Sequence, residues 1–113
     1  MSEFQDRYKE ILKKDNTGEF DVERKTLFYI LTGNIGLYQK IDRIYNFKDH
    51  SIKFDCLKTA DFSSSQKKMI QLAFNLYNGI HQADVLNTFG NLDKDNFRIC
   101  LNAIRIRFDM LGE

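Results

Sequence analysis

The sequence predicts an all-α fold, a compact single-domain bundle of four to six helices. Three observations predict it. The 113 residues contain no proline, where average usage of about 5% would place roughly five or six. Apolar residues recur at helical spacing and seldom alternate strictly. The breaks between apolar stretches fall on Gly, Asn and Asp, the residues that end helices and make turns. A chain of this length holds one domain, so residues 1–113 are read as a single unit.

The first element runs from about Glu3 to Lys14, where Phe4, Tyr8, Ile11 and Leu12 share one helical face. Asp15-Asn16-Thr17-Gly18 breaks it. The second starts near Asp21, a good N-cap, with Leu27, Phe28 and Leu31 on one stripe. Gly33-Asn34 and Gly36 interrupt it. The third covers about Gly36 to Phe47, carrying Leu37, Ile41 and Ile44, with Tyr38 and Tyr45 beside them. Ile52 to Leu57 is short and fits one helical turn.

The fourth element has the clearest start, because Ser63-x-x-Gln66 is a capping box. It runs to about Asn78, and Gly79 sits where a helix-ending glycine belongs. Met69, Ile70, Leu72, Ala73, Phe74, Leu76 and Tyr77 cover about 200° of its circumference, with Lys67, Lys68, Gln71 and Asn75 on the wet strip. That arc predicts a central helix. Ile80 to Asn91 is irregular, with a turn at Asp84-Val85-Leu86. The last helix runs from about Asp95 to Met110. Phe97, Leu101, Ile104, Phe108 and Leu111 form one stripe, and Ile99, Ala103 and Ile106 form a second. Lys94, Arg98, Asn102, Arg105 and Asp109 lie between them. The bundle is expected to pack around the fourth and last helices.

Composition excludes several classes. Lys plus Arg number 17 and Asp plus Glu 16, a net charge of +1, and the charge is spread without acidic or basic blocks. No apolar run approaches the length of a membrane span. The polar, acidic start Met1-Ser2-Glu3-Phe4-Gln5-Asp6 is wrong for a secretory signal, so the expected location is cytoplasmic. Two cysteines are too few for a disulfide scaffold. Ten Phe and five Tyr argue against disorder.

No motif for chemistry emerges. His50, His81, Cys56 and Cys100 form neither Cys-x-x-Cys nor His-x-x-x-His, so no metal ligand set is expected. Asp93-Lys94-Asp95-Asn96 lacks the glycine and the closing glutamate of a calcium loop and reads as helix capping. Gly33-Asn34-Ile35-Gly36 is no phosphate loop, and no cofactor is expected. Ser63 to Ser65 sit at a helix start, where capping explains their hydroxyls. His81 and Asp84 could form a general-base pair, and the bland alternative is a loop hydrogen bond. A helix-turn-helix needs a small residue four before its turn glycine and an apolar one nine after, but Tyr29 and Asp42 stand there. Arg107, on a different face from Arg98 and Arg105, suits a partly buried ion pair.

Leu72-Ala73-Phe74-Asn75-Leu76-Tyr77-Asn78-Gly79 resembles a motif of a small domain-of-unknown-function family from low-GC Gram-positive genomes, their prophages and phages. The resemblance extends back through Leu27-Phe28-Tyr29-Ile30-Leu31 and Ile44-Tyr45-Asn46-Phe47 to Leu57. It resumes at Asn102-Ala103-Ile104-Arg105-Ile106-Arg107-Phe108 and covers about residues 21–110. Two features depart from the family pattern. Thr59-Ala60-Asp61-Phe62 replaces a Trp-containing segment, and Asp109 replaces the Pro of an aromatic-Pro pair. The family carries no activity to transfer, but the resemblance implies a mobile-element setting, in which small proteins bind and block host machines, antiviral nucleases among them.

The expected function is therefore non-enzymatic protein binding by a phage or mobile-element accessory protein, an inhibitor of a host or CRISPR-type defence complex. The expected partner-binding residues are Lys67, Lys68, Asn75, Arg98, Asn102 and Arg105, with a homodimer also open. The alternative is a small RNA- or DNA-binding module using the basic strip of the last two helices. The near-neutral charge favours the protein partner.

Overall fold

The computed structural model describes residues 3–109, which form α1 (Glu3–Asp15), α2 (Val22–Gly33), α3 (Ile35–Gln39), α4 (Ser64–Asn78), α5 (Val85–Phe89) and α6 (Lys94–Arg107). Between α3 and α4 lie a 3-10 turn (Ile41–Arg43), a minimal antiparallel hairpin of β1 (Tyr45–Asn46) and β2 (Ser51–Ile52), and a second 3-10 segment (Phe54–Lys58). The radius of gyration is 12.9 Å, close to the value of about 13 Å for a compact domain of 100 residues. The architecture is all-α, as the periodicity predicts. Met110 and Leu111, which the sequence reading places in the last helix and its stripe, lie outside the described residues.

The centre of the bundle is α2, which corrects the expectation that α4 and α6 hold it. Every residue from Thr26 to Thr32 is buried. Thr26 and Thr32 can be buried because each hydroxyl donates to the carbonyl four residues back, Val22 O at 2.7 Å and Phe28 O at 2.6 Å. No donor is stranded, so these two polar residues behave as core.

Helices α1, α3, α4 and α6 pack on α2. At one end, Asn34 Nδ2 donates to Asn96 Oδ1 at 3.1 Å and approaches Met69 Sδ at 3.8 Å, joining early turns of α6 and α4 to the end of α2. At the other, Arg107 Nε donates to Leu76 O at 2.6 Å, and its Nη2 lies 3.8 Å from Glu23 Oε2. Helices α4 and α6 therefore run parallel to each other and antiparallel to α2. Arg107 joins three helices, which bears out the ion-pair reading.

The caps follow the sequence. Asp21 accepts from Arg24 N, and Ser63 and Gln66 complete the capping box. Gly79 closes α4 at φ 73°, a left-handed conformation natural to glycine. Asp84 caps a short helix, α5, where the sequence suggests a turn.

The third element is the main correction. Helix α3 ends at Gln39, and no helix spans Gly36 to Phe47. The spacing of Leu37, Ile41 and Ile44 survives in the 3-10 turn, but from Tyr45 the backbone is extended. Asn46 Oδ1 accepts from Lys48 N and Asp49 N and starts the turn that returns the chain. Ile52 to Leu57 likewise divides between β2 and the second 3-10 segment.

Gly33 lies against α6: a Cβ there would stand 2.8 Å from Ile99 Cγ2. Gly33→Ala should cost about 1–3 kcal/mol by overpacking, measured by urea unfolding. Adding Ile99→Val should recover part of it.

Candidate functional site

Asp93 starts α6, accepting from Asn96 N at 2.8 Å. Ile99, Cys100 and Ala103 then face the core. At about 100° per residue, this places Phe97, Leu101, Ile104 and Phe108 about 120° round the helix from that core side, in a wedge about 60° wide. Of the second stripe, Ile99 and Ala103 are core and Ile106 packs against it, while of the described residues of the first, Phe97, Leu101 and Phe108 are exposed and Ile104 is half-buried. Phe97 is 43% exposed, Leu101 37% and Phe108 65%. Lys94, Arg98 and Arg105, all exposed, form an adjoining wedge about 40° wide. The outer face of α6 is an apolar row with a basic flank.

The apolar row continues into α5. The Phe89 ring meets that of Phe97 edge-on at 5.2 Å, and Val85 and Leu86 of the same short helix are exposed. At its other end the row reaches a groove of about 690 Å³ lined by Phe108, Ile106, Phe20, Tyr8 and Tyr29, with Glu19, Lys25 and Arg107 among its polar groups. Phe20 is 87% exposed at its rim. Tyr8 donates to Lys25 O at 3.0 Å, and burial, with Tyr29 beside it, pushes its phenol up to about 12. It is a fixed neutral donor at physiological pH.

The six residues expected to bind a partner fall into different settings. Arg98 and Arg105 lie on the basic flank. Asn102 is half-buried and its amide donates to the Tyr29 hydroxyl at 3.3 Å. Asn75 donates to His81 O at 2.7 Å and holds the chain that leaves α4. Both amides are engaged inside the fold. Lys67 and Lys68 are half-buried in the first turns of α4.

His81 and Asp84 do not meet as a catalytic pair. The Asp84 carboxylate accepts from Asn87 N as the cap of α5, while the His81 ring packs against Phe54 and Phe74 at 5.5 and 5.6 Å. A different imidazole–carboxylate contact forms. Asp15, whose side chain is fully buried, accepts from Tyr45 Oη at 2.8 Å and Thr17 Oγ1 at 2.7 Å, and lies 2.7 Å from His50 Nδ1. His50 sits at φ 56°, in the left-handed region. Sequence reasoning missed this cluster because its members are up to 35 residues apart and fit no motif. It clasps the end of α1 to the hairpin. Among the described residues, no three His, Cys, Asp or Glu side chains are grouped to hold a metal ion. Nor is any helix long and apolar enough to cross a membrane.

The cysteines are buried and separate. Burial pushes the Cys100 thiol up to about 12. Burial, then the neighbouring Asp55 carboxylate, pushes Cys56 up to about 11. Neither is a thiolate nucleophile at neutral pH.

A family model described as a family of unknown function (DUF6075) matches residues 1–111. No curated protein and no solved structure matches the chain.

Asp15→Ala should destabilise the fold by about 1–3 kcal/mol, because the buried Tyr45 hydroxyl loses its acceptor; thermal and urea unfolding measure it. A thiol reagent at mildly alkaline pH should label neither cysteine in the folded protein and both in concentrated guanidinium. The raised thiols add stability that is complete below the unfolded thiol pKa of about 8.5. That contribution is lost as pH rises towards about 11 and 12, so a melting-temperature series should fall across this range.

Proposed function

We propose, on the premise that the chain belongs to the DUF6075 family of unknown function, that it is a non-enzymatic protein-binding accessory protein. In this reading it comes from a phage or mobile element and docks through the outer face of α6. Its target is a host or CRISPR-type defence complex, which it inhibits by occupying a surface. The observation that carries the docking role is the row of exposed apolar residues along α6, met by α5 at the Phe89–Phe97 ring contact, with Phe108 and Phe20 at the rim of a groove. Scattered exposed apolar residues are ordinary on protein surfaces, but a contiguous patch marks an interaction site. The mobile-element setting is supported by the likeness of Leu72–Gly79 to the motif of phage and Gram-positive proteins.

One observation favours a second reading. Lys94, Arg98 and Arg105 form a basic row of the kind that meets phosphates. Against it stand the net charge of +1 and the aromatic and aliphatic side chains sharing that face. Nucleic-acid binding would weaken steeply with added salt.

A photo-crosslinking residue at position 101 should give a discrete protein adduct in a Gram-positive host lysate, and Phe108→Asp should remove it. The same crosslinker at Gln71, exposed on α4, should not give that adduct. Identical adduct patterns at both positions would sink the docking reading.

A further inference from the structure

The outer face of α6 is chemically one-sided, and this constrains what can cover it. The apolar row has the basic flank of Lys94, Arg98 and Arg105 along one edge. Its other neighbour, α5, presents Val85 and Leu86, and no charged residue lies within Val85–Phe89. Asp95, in the first turn of α6, lies about 60° outside the basic wedge on the helical projection, and Asp109 stands past the end of α6 on a left-handed backbone, off that projection.

We infer that the face receives an amphipathic helix of a partner protein, with its apolar ridge on Phe97, Leu101 and Phe108 and a row of carboxylates along Arg98 and Arg105. The inference rests on the docking role proposed above and adds the chemistry of the occupant. A helix fits because Phe97 to Phe108 form a ridge about 17 Å long at about 1.5 Å per residue. A second helix laid along it places apolar residues at three- and four-residue spacing over the same length. The partner's acids are placed along Arg98 and Arg105 because Val85–Phe89 offers no cation of its own. A nucleic acid would use the basic flank and leave the apolar row wet.

The test uses the full chain and two synthetic helical peptides with the same leucine ridge. One has glutamates along one flank, and the other has lysines in their place. The glutamate peptide should bind at low salt with a dissociation constant on the order of 10–100 μM, as expected for a small interface. Leu101→Asp should abolish binding. The double variant Arg98→Glu and Arg105→Glu should weaken the glutamate peptide about tenfold or more and gain the lysine peptide, the reversal that steering by complementary charge requires. Far-UV circular dichroism and melting temperature would show these surface variants folded. Equal binding of both peptides to the unaltered chain overturns the inferred chemistry. So does failure of both peptides, or displacement of the glutamate peptide by a short duplex DNA. If the adduct at position 101 still forms, such a failure belongs to the partner chemistry alone. If that adduct is absent too, the docking reading falls with it.

Discussion

A helix with no solvent face is stable only if every side finds a partner, and α2 imposes that condition on the whole molecule. From Thr26 to Thr32 it offers Leu27, Phe28, Tyr29, Ile30 and Leu31 in every direction. Each large apolar side chain buried there is worth roughly 1.5–3 kcal/mol relative to exposure. The arrangement of α1, α3, α4 and α6 follows from covering it. Its own polar groups would defeat this packing if left unpaired, and the threonine hydroxyls avoid that by bonding one turn back. Where α2 must end, Asn34 serves three elements: it follows Gly33, accepts from Leu37 N to start α3, and donates to Asn96 of α6.

How much of this was legible depended on whether the signal was local. The capping box at Ser63 and Gln66, the Asp21 cap and the left-handed Gly79 need only neighbouring residues, and all three stand as expected. The all-α class follows from periodicity, which is also local. Centrality is not. Helix α4 reads as central because its apolar arc is wide, whereas α2 looks narrower because its threonines count as polar until their internal hydrogen bonds are known. The stretch from Lys40 to Phe47 misleads for a related reason. Apolar spacing of three and four also suits a 3-10 turn entering a strand, and the decision lies with the Asn46 side chain and the distant Asp15.

The site was half legible. The two stripes of α6 and the basic row between them appear in the sequence, but periodicity alone does not tell which stripe faces inwards. Gly33 helps decide it, because the missing side chain lets Ile99 approach α2 closely and commits the Ile99–Ala103 side to the core. The Phe97–Leu101 side is then left outside. Asn75 and Asn102 look like free surface amides in the sequence, yet each bridges to another part of the fold. The Asp15 clasp depends on contacts across three elements, so no window along the chain contains it.

The order of the elements along the chain has a consequence for biosynthesis. The central helix is made well before α6, one of its main covers. At translation rates of about 5–20 residues per second, roughly 4–15 s separate the synthesis of Gly33 from that of Arg107. Throughout that interval the strongly apolar α2 segment lacks its α6 cover. The cover of α2 is therefore complete only once α6 has emerged as well.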